Sequence, residues 1–169
     1  MIKLKQLLLE AKAPSIFIPR RMEDRDERFV RMIERMIKEY VRNGSKGDLD
    51  LTGVKFNKLP EILKNIDVGG DFYCSDTNLI SLKNSPKKIK GNFFCVSNKL
   101  LTSLDGSPTN VRGNFICDDN VNLTSLHGMP KKIGGNVYCM HNGKNFTYWD
   151  FQKVTDVKGY IKTSTESGL

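Results

Sequence analysis

The chain has 169 residues, 38% of them hydrophobic, and a formal net charge of +8. That length suits one domain, or one domain with a helical cap. The composition excludes a membrane protein and a secreted one, because no apolar run approaches the ~20 residues that span a bilayer and Leu7-Leu8-Leu9 is too short for a signal core.

In chain order, residues 1–22 read as an N-terminal segment and linker. Ile2, Leu4, Leu7 and Leu8 alternate with Lys3, Lys5 and Gln6 in a short amphipathic stretch. Pro14 and Pro19 then bracket an extended apolar run, since proline cannot continue a helix and biases the residue before it away from helical angles. Residues 23–46 read as a capping helix. Between Glu23 and Arg42 the residues Phe29, Val30, Met32, Ile33, Met36, Ile37, Tyr40 and Val41 recur at helical spacing, and Asn43-Gly44 supplies the stop.

Residues 47–163 are a repeat. Cys74, Cys95, Cys117 and Cys139 stand 21, 22 and 22 residues apart, each in the same phrase: Gly-Asn-Phe-x-Cys-x-x-Asn, then Leu-Thr-Ser-Leu-x-Gly-x-Pro. A fixed period near 22 residues signals a solenoid, whose units cannot bury an apolar face alone. The expected fold is a short right-handed β-solenoid of about five coils with an α-helical N-terminal cap. Gly47–Leu51 forms a degenerate first strand and Gly159–Thr163 a sixth. Twenty-two residues cannot hold a strand and a long helix, so the returning side is expected to be extended or 3-10-like, turned by Pro86, Pro108 and Pro130. Trp149 and Phe151 suit a C-terminal cap, and residues 164–169 read as a frayed tail.

Alternation in Gly-Asn-Phe-x-Cys sends Phe and Cys inward. The cysteines therefore form a buried, reduced column, with no paired spacing for zinc and no facing loops for a disulfide framework. Asn98, Asn120 and Asn142 form a second interior column, with Thr77 at its start, placed to satisfy backbone groups at the bend. A buried thiol has neither the exposure nor the base that a nucleophile needs. His127 and His141 occupy variable repeat positions. Asp76, Asp118 and Asp119 lie on equivalent coils, but no ligand geometry supports a cation there. The expectation is no enzyme, no cofactor and no metal.

The residues between Phe and Cys are Tyr73, Phe94, Ile116 and Tyr138. They point away from the core, yet all are large and apolar. Two readings fit them: an interaction ridge across the open sheet, or cross-strand pairing that stabilises the sheet, with or without cover by the N-terminal segment. Lys87, Lys88, Lys131 and Lys132 are expected on a neighbouring edge, as the rim of the same partner-binding surface.

The Leu-x-x-Leu corners, the Asn column and the period resemble bacterial-type leucine-rich repeats. Residues 47–163 resemble more closely a leucine-rich-repeat-like family common in tailed-phage genomes, with Phe-x-Cys in place of Leu-x-Leu. Met1–Ala11, with Leu8-Leu9-Glu10 before Ala11, is similar to the leaders of T-even-type phage head proteins, which are cut after Leu-x-Glu. These resemblances imply a non-enzymatic protein–protein interaction module of a tailed phage. They imply a capsid-associated structural component, located in the virion or host cytoplasm and facing a phage or host protein. The alternative is a basic internal head protein, injected with the genome, that binds nucleic acid or inhibits a host defence enzyme.

Overall fold

The structure, a computed structural model, describes residues 2–3 and 23–165. The Pro14–Pro19 linker and the leader-like motif at Leu8–Ala11 lie outside the described residues. Helix α1 spans Glu23–Arg42 and is followed by short strands that recur once per repeat. One seven-stranded parallel sheet runs in the order β1 (Ile2–Lys3), β2 (Leu49–Asp50), β4 (Phe72–Tyr73), β6 (Phe93–Phe94), β8 (Phe115–Ile116), β10 (Val137–Cys139) and β12 (Ile161–Thr163). A second sheet of five parallel strands holds β3 (Asp67–Val68), β5 (Lys88–Ile89), β7 (Asn110–Val111), β9 (Lys132–Ile133) and β11 (Asp156–Val157). The chain is a β-solenoid of about five coils.

The returning side is extended or 3-10, as the short period requires. Among the described residues the 3-10 turn is at Glu61–Asn65 in the first coil, and the limb before each Gly-Asn is itself a strand of the second sheet. The cause lies in Lys88-Ile89-Lys90 and Asn110-Val111-Arg112, where one β-branched residue alternates with polar neighbours. Val68, Ile89, Val111 and Ile133 point inward and are buried. They close the core against Phe72, Phe93, Phe115 and Val137 of the first sheet and the leucines of the Leu-x-x-Leu corners, all buried.

Two side-chain ladders set the stacking. On the outside, each Gly-Asx pair bonds to the one before: Asp71 N–H donates to Asp48 Oδ1 (2.9 Å), Asn92 to Asp71 (2.6 Å), Asn114 to Asn92 (2.7 Å) and Asn136 to Asn114 (2.8 Å). Inside, the Asn column works as expected. Asn98 N–H donates to Asn120 Oδ1 (2.8 Å) and Asn120 N–H to Asn142 Oδ1 (3.0 Å). Asn98 Oδ1 accepts from the Thr77 hydroxyl at 2.7 Å. Asn120 Nδ2 donates to the carbonyls of Cys95 (3.0 Å) and Cys117 (2.9 Å), so the bend carries its own buried partners.

The ends of the solenoid are built differently from each other. Helix α1 buries Ile33, Ile37 and Tyr40 in the common core, while Val30 and Val41 are exposed, so its buried stripe is narrower than the sequence pattern. The Tyr40 hydroxyl shares its one proton between the carbonyls of Ser45 (2.8 Å) and Gly47 (3.0 Å) and accepts from Gly69 N–H (3.1 Å). At the other end a short helix α2 (Tyr148–Gln152) buries Phe151 against Phe146. Trp149 does not join it: the residue is 71% exposed and its ring meets Tyr148 edge-on. A five-residue helix turns only one side inward, and that side is taken by Phe151. Ser164 and Thr165, expected in the frayed tail, are hydrogen-bonded to His141 N–H (2.7 Å) and the Phe146 carbonyl (3.1 Å).

Candidate functional site

The ridge is continuous by register. Tyr73 pairs with Phe94, Phe94 with Ile116 and Ile116 with Tyr138 across β4, β6, β8 and β10. Asp50 precedes the row on β2 and Lys162 follows it on β12. The Tyr73 and Phe94 rings stack, with centroids 4.5 Å apart and planes at 4°. All four ridge residues are half-buried rather than fully exposed, because each covers its neighbour. Val96 and Met140 widen the apolar strip one alternation further along the same limbs.

The two ends of the strip carry different polar groups. Asp48, Asp50 and Asp71 gather at the β2–β4 end, where the Tyr73 hydroxyl donates to Asp71 Oδ2 (3.0 Å). Burial, that bond and the three carboxylates push the Tyr73 phenol up to about 12. At the far end the Tyr138 and Tyr160 hydroxyls are hydrogen-bonded beside Lys162. Asp118 lies on the same face. Burial raises its carboxyl, partly offset by the Met140 N–H that donates to Oδ1 (2.6 Å).

The lysines expected beside this ridge are elsewhere. Lys88 and Lys132 stand on β5 and β9 of the second sheet, at the same register position as Asp67, Asn110 and Asp156. Lys87 and Lys131 immediately precede them, and Lys90, Arg112 and Lys158 form a further outward column two residues on. The eight expected contact residues therefore divide between two faces, four on each. The second face holds seven cations against two carboxylates, Asp67 and Asp156, both on its edge strands. On the first face the carboxylates Asp48, Asp50, Asp71 and Asp118 accompany Lys162, and Lys3 of β1 stands at the register position of Asp50. Charge averaged over the repeats hides this segregation. The legible signal is a cation beside the β-branched residue in the limbs Lys88-Ile89-Lys90, Asn110-Val111-Arg112 and Lys132-Ile133-Gly134.

The cysteines are free and buried in one column. The thiols of Cys74, Cys95 and Cys117 donate across to the carbonyls of Phe94 (3.3 Å), Ile116 (3.6 Å) and Tyr138 (3.5 Å). Burial drives all three thiols well above the ordinary thiol range. They serve as interior pegs rather than nucleophiles. His141 Nδ1 lies 3.2 Å from Asp119 Oδ1 at the surface. Among the described residues no group of three or more His, Cys, Asp or Glu is placed to hold a metal ion. No helix is long and apolar enough to cross a membrane, again among the described residues.

The fold and faces define a β-solenoid scaffold with an aromatic strip on one sheet and a basic outer surface on the other. No family model matches the chain, and neither a curated protein nor a solved structure matches it.

Proposed function

We propose that this chain is a non-enzymatic protein-binding module of leucine-rich-repeat type, with α1 as its N-terminal cap. The single observation that carries the reading is the row Tyr73–Phe94–Ile116–Tyr138, large side chains in unbroken register on the outer side of four consecutive strands. A sheet face facing water is expected to alternate polar-out. Four successive departures at one register position point to a partner that covers the strip, in which aromatic anchors supply most of the binding energy. The assignment to a tailed-phage virion, as a capsid-associated component, is supported by the likeness of the repeat phrase and of the first eleven residues to phage proteins.

The test compares wild type with a Tyr73/Phe94/Tyr138 triple alanine variant in quantitative capture from phage and host lysates. The expected result is a specific protein recovered at least tenfold less by the variant while its circular dichroism spectrum is retained. Equal recovery by both proteins overturns the ridge reading and leaves cross-strand stabilisation as its role. Mass spectrometry of purified virions tests the phage assignment separately, through the presence of the chain and its cleavage after Glu10.

A further inference from the structure

We propose that the outer face of the second sheet binds the phosphate backbone of double-stranded DNA without sequence preference. Lys88, Lys90, Arg112, Lys132 and Lys158 project from four adjacent parallel strands, and all are exposed. Lys88 lies 4.0 Å from Asp67 at the sheet edge. Among the described residues Lys90, Arg112, Lys132 and Lys158 take part in no ion pair, so their charge is available to a ligand.

Charge complementarity selects the occupant. The face has five strands, so it extends about 19 Å at the ~4.8 Å strand spacing. Duplex DNA carries about one negative charge per 1.7 Å of axis and presents about eleven along that length. A protein partner of ordinary kind needs an apolar centre with aromatic anchors. The outward columns of this sheet contain no apolar side chain, only cations, Asn110, two glycines and the edge carboxylates. Single-stranded nucleic acid needs aromatic platforms on which bases stack, and these columns offer none. Among the described residues no helix or hairpin ribbon stands on this face to enter a groove and read base edges. What remains is a set of exposed cations on adjacent strands, spaced by Asn110 and two glycines, facing a regular polyanion. The aromatic strip lies on the other sheet, so this proposal stands independently of the protein-binding reading.

Fluorescence anisotropy of the full chain with two unrelated 20-base-pair duplexes tests it. Both are expected to bind with dissociation constants in the range of about 1–100 μM near physiological salt. Neutralising four or five phosphates makes affinity fall about 100-fold or more between 50 and 200 mM salt. Lys90→Gln, Arg112→Gln, Lys132→Gln and Lys158→Gln together are expected to weaken binding at least tenfold and flatten the salt dependence by more than half. A control with Lys38→Gln, Lys58→Gln, Lys99→Gln and Lys153→Gln removes the same charge elsewhere and is expected to stay within about threefold of wild type. Binding absent at 50 mM salt, or lost equally in both variants, overturns the proposal. So does polyglutamate competing as well as DNA at equal charge, since that result assigns the face to an acidic protein.

Discussion

Asp71 Oδ1 lies where a Cβ on Gly91 would have to go, only 2.0 Å from that position. The same clash recurs up the stack, at 2.5 Å between Asn92 and Gly113 and at 2.4 Å between Asn114 and Gly135. The Gly-Asn pair of the repeat is thus one device in two parts. The Asx side chain reaches forward to cap the next coil's N–H, and glycine leaves the room for it.

Gly113→Ala is therefore expected to destabilise the protein by about 2–4 kcal/mol, combining overpacking with a lost ladder bond. Gly53 offers a contrast. Its φ of +74° is left-handed, but a Cβ there meets nothing within 4 Å, and Asp76, Ser97, Asp119 and His141 adopt the same backbone at equivalent positions. Gly53→Asn is expected to cost about 1 kcal/mol or less, since Asn tolerates this region. Urea unfolding of the two variants distinguishes close approach from backbone freedom, and equal costs would refute the distinction.

Asn120 sits at the centre of the interior ladder, between Asn98 and Asn142. It accepts from Asn98 N–H and donates to two cysteine carbonyls. Asn120→Leu leaves those groups unpaired and is expected to cost about 3–5 kcal/mol, from ~1–3 kcal/mol per unsatisfied buried group. Asn142, only half-buried, accepts one backbone bond from Asn120 and is expected to cost less than half as much. Thermal melts of both variants check the ordering.

The cysteine column makes alkaline stability predictable in sign. In the folded chain burial holds the Cys74, Cys95 and Cys117 thiols protonated well above their ordinary values. The unfolded chain releases those protons near pH 8.5. A raised folded pKa confers stability that is fully present below the unfolded value and is lost as pH climbs toward the folded one. Each thiol is expected to cost about 1.4 kcal/mol by pH 9.5 relative to pH 7.5. The measurement is urea unfolding between pH 7 and 10. Cys95→Ala should remove about one-third of the thiol contribution to the slope, whatever its effect at neutral pH.

Tyr40 ties α1 to the first coil through both its ring and its hydroxyl. Tyr40→Phe is expected to cost about 1 kcal/mol, because Gly69 N–H also donates to the Ser45 carbonyl (3.0 Å) and keeps a partner. Tyr40→Ala is expected to cost about 3–5 kcal/mol through the cavity left in the core. Hydrogen exchange should then show faster opening of Leu49–Leu51 than of the later coils. Unchanged protection there would contradict a capping role for the helix.

The period, the interior columns and the inward Phe and Cys were legible in the sequence because a solenoid repeats its environment as faithfully as its residues. Asn98 and Asn120 meet the same bend one coil apart, so a single phrase specifies both. Helix α1 was legible from its 3.6-residue spacing, although Val30 and Val41 proved exposed. Periodicity reports which residues can share a face, whereas burial depends on how much of that face the first coil covers. The second sheet is less legible because one β-branched residue between polar neighbours carries little signal by itself, whereas the first sheet repeats an inward Phe and Cys. Trp149 was misplaced because composition does not say which side of a one-turn helix faces inward. The aromatic strip could be inferred from alternation alone, since strand geometry sends every second side chain outward. The separation of Lys88 and Lys132 from that strip could not. It follows from the corner at each Gly-Asn pair, where a few residues of chain turn from one sheet into the other and only stacking fixes which way each limb looks.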